Sequence, residues 1–134
     1  MDGMILTPNV GEKIILVVDD SDITRKLIEK VYKDRYKILM ASTGREAIDI
    51  VSTMPEGDII AVLLDLNMPD LNGFAVLDFF KQNNLFEKIP VSIITGDNSR
   101  ETMNRVFAYK IVDVLIKPFS AYDIERVVSK MIKE

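Results

Sequence analysis

The chain has 134 residues, of which 48% are hydrophobic and 28% charged, a composition typical of one soluble globular domain with an ordinary core. It contains neither Cys nor His, which excludes disulfides, thiol catalysis, His general bases and His-containing zinc sites. The net charge of -4 argues against nucleic-acid binding, and no apolar segment approaches the ~20 residues of a membrane span. We therefore expect a cytoplasmic protein without membrane contact, whose chemistry depends on carboxylates, hydroxyls, amides and lysines.

The start of the chain is predicted to lie outside the folded domain. Residues 1–12, with Pro8 and Gly11, are typical of a loose N-terminal arm. They lack the basic start and long apolar centre of a signal peptide. We predict one domain over residues 13–134.

Two adjacent carboxylates follow the first predicted strand. The apolar run Lys13–Val18 is typical of a strand buried on both faces, and it ends directly on Asp19 and Asp20. Asp20 or Ser21 could cap the helix that follows, which would account for one acid. Adjacent carboxylates repel each other unless a cation or solvent compensates, so a divalent metal site is the sharper hypothesis.

The second unit of the chain is interpreted as scaffold. Tyr36–Ser42 is predicted to be a strand near an edge of the sheet, because it carries Lys37. Thr43 and Glu46 have the spacing of a capping box, which indicates the start of the next helix.

A third strand ends on a single acid. The unbroken apolar run Ile59–Asp65 predicts a buried strand, followed by a polar loop. Ligands of open α/β sheets bind at the carboxyl ends of the strands, so Asp65 is a candidate site residue, although an Asp can also simply start a turn. Gly73 is placed to turn the backbone into the next helix, Phe74–Lys81, or to stay close to the Asp65 loop.

The last two predicted strands also end on polar side chains. Val91–Thr95 ends on a hydroxyl, and Asn98 is predicted to cap the helix behind it. Val112–Ile116 runs into Lys117, and a last helix is predicted to start near Ser120.

Strands and helices thus alternate five times, which predicts a parallel sheet with helices on both faces. One edge of this sheet receives Asp19, Asp20, Asp65, Thr95 and Lys117. The set offers oxygen ligands for a hard metal, a carboxylate that can attack phosphorus, and a hydroxyl and an ammonium that can hold phosphoryl oxygens. These groups are typical of phosphoryl transfer to an aspartate.

From Lys13 to Lys133 the chain resembles the receiver domain of response regulators, the CheY-like family of two-component signalling. The resemblance rests on four motifs in order, VVDDS, LLDLNMPDLNG, SIITG and IKPF. It implies an α/β fold, a (βα)5 doubly wound, flavodoxin-like five-stranded parallel sheet with strand order 2-1-3-4-5. It also implies a cis peptide bond between Lys117 and Pro118.

The resemblance implies a role for each phosphoryl-contacting residue. Asp65 matches the phospho-acceptor, Thr95 the hydroxyl that contacts and reports the phosphoryl group, and Lys117 the lysine that contacts a phosphoryl oxygen. The donor would be a phosphohistidine on a sensor histidine kinase or histidine phosphotransfer protein, because this chain has no His. The domain would promote its own phosphorylation and dephosphorylation without being an enzyme in the usual sense.

The resemblance also implies Mg²⁺ and an output surface. Asp19 and Asp20 match the magnesium-binding acidic pair, Asp65 completes it, and Asn67 would supply its backbone carbonyl. Movement of Thr95 would shift a conformational equilibrium at the face formed by the fourth helix, fifth strand and fifth helix, where a downstream protein would bind.

Several positions depart from the family pattern or tune it. Val114 stands where the family usually has an inward-rotating Tyr or Phe, so that aromatic readout is impossible here, and Tyr109 is not in register to replace it. Gly96 follows Thr95 where a small residue such as Ala is common, which keeps access to the phosphoryl site open. Asn67 and Asp97 occupy the positions that tune phosphoryl lifetime.

Three other interpretations compete. A haloacid-dehalogenase-like phosphatase has a D-x-D motif after its first strand, which residues 20–22 fit, but it leaves Asp65 without a role. A flavodoxin-like flavin carrier is disfavoured because the acids after the first strand would repel the flavin phosphate. A docking module of receiver fold that no longer uses phosphate draws support from Val114. A stand-alone regulator and a fragment of a longer protein are both compatible with the sequence.

Overall fold

The structure is a computed structural model that describes residues 13–68 and 72–132. Within these ranges five strands alternate with five helices. The strands are β1 (Ile14–Val18), β2 (Lys37–Ala41), β3 (Ile59–Asp65), β4 (Val91–Thr95) and β5 (Val114–Ile116). The helices are α1 (Asp22–Tyr32), α2 (Gly44–Thr53), α3 (Gly73–Gln82), α4 (Arg100–Val106) and α5 (Ala121–Met131). The predicted arm, residues 1–12, lies outside the described residues.

The five strands form one parallel sheet in the order β2-β1-β3-β4-β5. This order confirms the predicted fold class, and β2 lies at an edge as expected. Asp65 pairs with Ile94, and Thr95 pairs with Ile116. The carboxyl ends of β3, β4 and β5 therefore lie side by side, which brings the residues that follow them to one edge of the sheet.

The sheet is buried on both faces because its side chains alternate between two apolar clusters. Leu16 and Val18 of β1 belong to the cluster that α2, α3 and α4 cover, whereas Ile15 and Val17 belong to the cluster that α1 and α5 cover. Two-sided burial explains why β1, β3 and β4 appear in the sequence as continuous apolar runs. Among the residues that the structure describes, no helix is long and apolar enough to cross a membrane.

Each described helix begins at a side chain that accepts backbone N–H groups. The N-caps are Ser21, Thr43, Asn72, Ser99 and Ser120. Ser21 thus caps α1, so neither of the two acids before it is the N-cap residue. The predicted cap at Asn98 is wrong. The Asp97 carboxylate accepts the N–H of Ser99 at 2.9 Å, and the Ser99 hydroxyl oxygen accepts the N–H of Thr102, so the helix starts one residue later.

One predicted strand boundary also differs, because β5 begins at Val114 rather than Val112. The Val112 N–H still donates to the Val91 carbonyl oxygen at 2.8 Å, and the Asp113 carboxylate accepts the Val114 N–H at 2.7 Å. α4 ends at Val106, and Phe107 is its C-cap residue and is 54% exposed. Val106 is consequently the one buried residue within Arg100–Val106.

Candidate functional site

Three carboxylates meet at the carboxyl edge of the sheet. Asp19 follows β1 directly, Asp20 comes next, and Asp65 is the last residue of β3. One carboxylate oxygen from each lies within 4.8 Å of the others, an arrangement that could hold a metal ion. Asp19 and Asp65 are almost fully buried and Asp20 is exposed, so the cluster has an inner side in protein and an outer side in solvent.

Asp65 is held by two donors. Its Oδ1 accepts the backbone N–H of Asn67 at 2.9 Å, and its Oδ2 accepts a hydrogen bond from Lys117 Nζ at 3.2 Å. Burial raises the pKa of Asp65, and the neighbouring Asp19 raises it further, whereas the Asn67 N–H and the Lys117 ammonium lower it. The net direction is upward because burial is the largest of these effects.

Asp19 leaves one buried oxygen without a hydrogen bond. Its Oδ1 accepts the N–H of Ser21 at 2.8 Å. Its Oδ2 has no hydrogen-bond partner within residues 13–68 and 72–132, although Lys117 Nζ lies 3.5 Å away as an ion pair. A buried, unsatisfied carboxylate oxygen is costly unless a cation compensates. Together with the oxygen-only donor set, this oxygen fits a hard divalent cation.

Lys117 connects the two buried acids. Its side chain follows β5, is 33% exposed, and places Nζ within ion-pair distance of Asp19 and Asp65. Burial lowers the pKa of Lys117, but the two carboxylates raise it by more, so the ammonium remains charged. The peptide bond from Lys117 to Pro118 is cis, as the resemblance implies.

Thr95 is fully buried at the end of β4 and points its hydroxyl oxygen at the following loop. Its Oγ1 accepts the backbone N–H of Asp97 at 3.0 Å, and its carbonyl oxygen accepts the N–H of Lys117 at 2.8 Å. Asp97 Oδ2 accepts a hydrogen bond from the Thr102 hydroxyl at 2.6 Å. The Thr102 and Ser99 contacts lower the pKa of Asp97. Thr95 is thus linked through Asp97 to the first turn of α4.

Gly73 lies against the backbone of the Asp65 loop, as its position in the sequence suggests. A Cβ at Gly73 would stand 2.7 Å from Leu66 Cα and 2.8 Å from the Asp65 carbonyl oxygen. A Cβ at Gly96 would meet nothing within 4 Å, so the packing there leaves room for a side chain. Only the first of these two glycines is required by close packing.

The structure also shows contacts that the sequence interpretation missed. Asp19, Asp65 and Asp97 each accept a backbone N–H from the residue two positions later, the geometry of an Asx turn. An Asp at or just after the end of a strand, followed two positions later by a non-Pro residue, was the available signal. These turns fix the orientation of the carboxylates before any ligand is present.

The predicted site residues are therefore brought together in part. The structure joins Asp19, Asp20, Asp65 and Lys117 directly. The side-chain hydroxyl of Thr95 contacts Asp97 instead. Val114 is half-buried beside the apolar cluster of α2, α3 and α4, a cluster to which Tyr109 also belongs.

The profile of the family described as "Response regulator receiver domain" matches residues 15–129, and the chain therefore belongs to that family. It is 25% identical over 124 residues to the two-component response regulator ORR5 of Oryza sativa subsp. japonica, covering 92% of this chain and 91% of that protein. It is 35% identical over 112 residues to the Vibrio cholerae protein named "Probable cyclic di-GMP phosphodiesterase", covering 84% of this chain and 25% of that protein.

Solved structures agree with the fold. The Vibrio cholerae chemotaxis response regulator CheY4 superposes with a TM-score of 0.79 at 23% identity, covering 90% of this chain and 99% of that chain. A CheY-like receiver domain protein from Methanospirillum hungatei JF-1 gives a TM-score of 0.71 at 28% identity, covering 89% of this chain and 94% of that chain.

Receiver domains are signalling modules of two-component systems, and phosphorylation and magnesium are typical of the family. Response regulators interact with histidine kinases or phosphotransfer proteins. Membership of this family decides against the dehalogenase-like and flavodoxin-like interpretations.

Proposed function

We propose that Asp65 accepts a phosphoryl group from a phosphohistidine on a sensor histidine kinase or a histidine phosphotransfer protein. A carboxylate oxygen of Asp65 forms the new bond to phosphorus, while the bond from phosphorus to the imidazole nitrogen breaks and its electron pair leaves with the imidazole. The observation that carries this proposal is the position of Lys117 Nζ, 3.2 Å from Asp65 and 3.5 Å from Asp19. This ammonium is placed to stabilise charge on a phosphoryl oxygen next to the acceptor.

Mg²⁺ is the cation that we propose for the acidic cluster. Asp19, Asp20 and Asp65 would supply carboxylate oxygens, and Asn67 its backbone carbonyl. When bound, Mg²⁺ would neutralise part of the negative charge on the phosphoryl oxygens. The unsatisfied Oδ2 of Asp19 supports this assignment.

Loss of the phosphoryl group would regenerate the carboxylate. Water attacks phosphorus, the bond between phosphorus and the Asp65 oxygen breaks, and inorganic phosphate leaves. Asn67 is exposed next to Asp65, and Asp97 is exposed beyond Thr95, so both are placed to influence the approach of water. The domain would thus promote its own phosphorylation and dephosphorylation.

The output would be binding of a downstream protein at the face of α4, β5 and α5. Three exposed large hydrophobic side chains support this choice, namely Phe107 at the end of α4, Val112 before β5 and Tyr122 in α5. We propose no nucleic-acid contact for this domain, in agreement with its net charge of -4, and a cytoplasmic location.

The direct test is incubation with acetyl phosphate, with and without Mg²⁺, followed by intact-mass measurement. The wild type is expected to gain one phosphoryl group only with Mg²⁺, and Asp65→Asn is expected to gain none. Asp49→Asn, which removes an exposed carboxylate from α2, is the matched control and should label like the wild type. Labelling of Asp65→Asn to the wild-type level would contradict the assignment of the acceptor.

A docking module that works without phosphate is the second candidate. The observation that favours it is Val114, which cannot perform the aromatic readout of the family. If neither acetyl phosphate nor a cognate kinase labels the wild type, this candidate becomes the better one.

A further inference from the structure

The position of α4 depends little on apolar burial. Val106 is its one buried residue over Arg100–Val106, whereas α5 buries four residues, Ile124, Val127, Val128 and Met131. A helix with one buried side chain gains little hydrophobic stabilisation from its position. Val106 and the partly buried Met103 pack on the apolar cluster, and polar and aromatic contacts at the two ends of α4 contribute to its position beside them.

The N-terminal end of α4 is tied to the site. Thr95 Oγ1 accepts the Asp97 N–H, and the Asp97 carboxylate accepts from the Ser99 N–H and the Thr102 hydroxyl. If the Thr95 side chain rotates to donate to a phosphoryl oxygen on Asp65, its Oγ1 moves away from the Asp97 N–H. The hydrogen bond that links Thr95 to the cap of α4 is then lost.

The C-terminal end of α4 is tied to α3. The Arg105 guanidinium carbon lies 3.6 Å from the centroid of the Phe74 ring, a cation–π contact. The Tyr109 ring packs against Phe74 with centroids 6.4 Å apart, and the Tyr109 hydroxyl donates a hydrogen bond to the Asp78 carboxylate. Phe74 directly follows Gly73, the residue that packs on the Asp65 loop. Both ends of α4 are thus connected to the surroundings of Asp65.

We propose that Arg105 and Tyr109 form a latch that holds α4 against α3 in the unphosphorylated state and is released when Asp65 is phosphorylated. This inference rests on the proposed function and assigns its regulation to residues of this chain. In this proposal Tyr109 takes part in the conformational switch, although it is not in register with Val114, the position at which the family usually has an aromatic residue. A latch made only in the resting state opposes phosphorylation, so weakening it favours the activated state.

The test is the equilibrium affinity for beryllofluoride with saturating Mg²⁺, measured by isothermal titration calorimetry. Tyr109→Phe keeps the ring and removes one hydrogen bond, and Arg105→Gln removes the cation over Phe74. Because one hydrogen bond that exists only in the resting state is lost, Tyr109→Phe should bind beryllofluoride about two- to tenfold more tightly than the wild type. Arg105→Gln should shift the affinity in the same direction.

Matched controls separate the latch from a general effect of these substitutions. Tyr32→Phe and Arg35→Gln remove the same groups from a second cation–π pair, in which the Arg35 guanidinium carbon lies 4.7 Å from the centroid of the Tyr32 ring on the opposite face of the sheet, and both should bind like the wild type. A second measurement is the thermal midpoint with and without beryllofluoride. Without beryllofluoride, Tyr109→Phe should have a lower thermal midpoint than the wild type. This difference should shrink at saturating beryllofluoride, because the hydrogen bond from Tyr109 to Asp78 is already broken in that state. A contact that only stabilises the fold would leave the affinity and this difference unchanged.

The outcomes distinguish the two proposals. If the wild type binds beryllofluoride and Tyr109→Phe binds with equal or lower affinity, the latch is refuted and the proposed function stands. If the wild type binds no beryllofluoride with Mg²⁺, the proposed function is contradicted and the latch with it.

Discussion

Substitution of Gly73 by Ala tests whether the start of α3 must lie directly against the Asp65 loop. The new Cβ would stand 2.7 Å from Leu66 Cα, about 0.7 Å short of the 3.4 Å at which ordinary contact begins. The obstructing atoms belong to the backbone, so they cannot turn away as a flexible side chain would. Overpacking of this kind costs about 1–3 kcal/mol, and the better helix propensity of Ala returns at most about 1 kcal/mol.

We therefore expect Gly73→Ala to lower the free energy of unfolding by about 1–2 kcal/mol, which is about 3–7 °C in thermal midpoint for a chain of this length. Gly96→Ala is the matched control. Its Cβ meets nothing within 4 Å, so its thermal midpoint should equal or slightly exceed that of the wild type. Both variants would be measured by calorimetry and by acetyl phosphate labelling. Equal thermal midpoints of Gly73→Ala and Gly96→Ala would contradict a close-packing requirement at Gly73.

Three further predictions concern groups away from the site. Ser92 is fully buried and its hydroxyl has no hydrogen-bond partner among the described residues, so Ser92→Ala should be neutral or stabilise by about 1 kcal/mol in urea unfolding. A clear loss of stability would indicate a partner for that hydroxyl. Burial raises the pKa of Tyr32 to about 12, so the folded state favours the protonated phenol. The resulting stability is complete below pH ~10 and is lost as the pH rises toward 12, so alkaline unfolding curves of Tyr32→Phe should fall less steeply than those of the wild type over this window. Partial burial raises the pKa of Asp113, but the hydrogen bond from Lys130 and other contacts lower it by more, so the net direction is downward. The stabilisation by ionised Asp113 is present above the unfolded pKa of about 4 and is lost as the pH falls through the lower folded value. Asp113→Asn should therefore make stability depend less on pH in acid. An unchanged pH dependence would contradict this prediction.

The fold could be predicted from the sequence because the strands are marked by local patterns of apolar residues. Ile59–Asp65 and Val91–Thr95 are continuous apolar runs whose observed bounds equal the predicted ones. Two-sided burial produces such runs, and the alternation with helices then restricts the topology to a few solutions. The sheet edge that holds Asp19 and Asp65 followed from this topology without any knowledge of side-chain contacts.

Details that depend on competition between similar neighbours could not be predicted. Asn98 and Ser99 are both good N-cap residues, and the choice was decided by the Asp97 carboxylate, which accepts the N–H of Ser99. Contacts between distant segments, such as Tyr109 with Asp78, leave no periodic pattern in the sequence.

The charge balance of the site explains how phosphorylation of Asp65 could cause a rearrangement although the strands of the sheet stay in place. Three carboxylates and the one ammonium of Lys117 give this cluster a net formal charge of -2, and Asp19 keeps an oxygen buried without a hydrogen bond. Conversion of Asp65 to an acyl phosphate would make its charge more negative, from -1 to about -1.5 to -2. A divalent cation at the proposed site would offset this charge, and hydrogen-bond donors would supply the remainder. The strands cannot move to supply them, because both faces of the sheet are closely packed. The Thr95 hydroxyl can reorient, and α4 is the element whose anchoring depends on that hydroxyl, so the rearrangement is expected there.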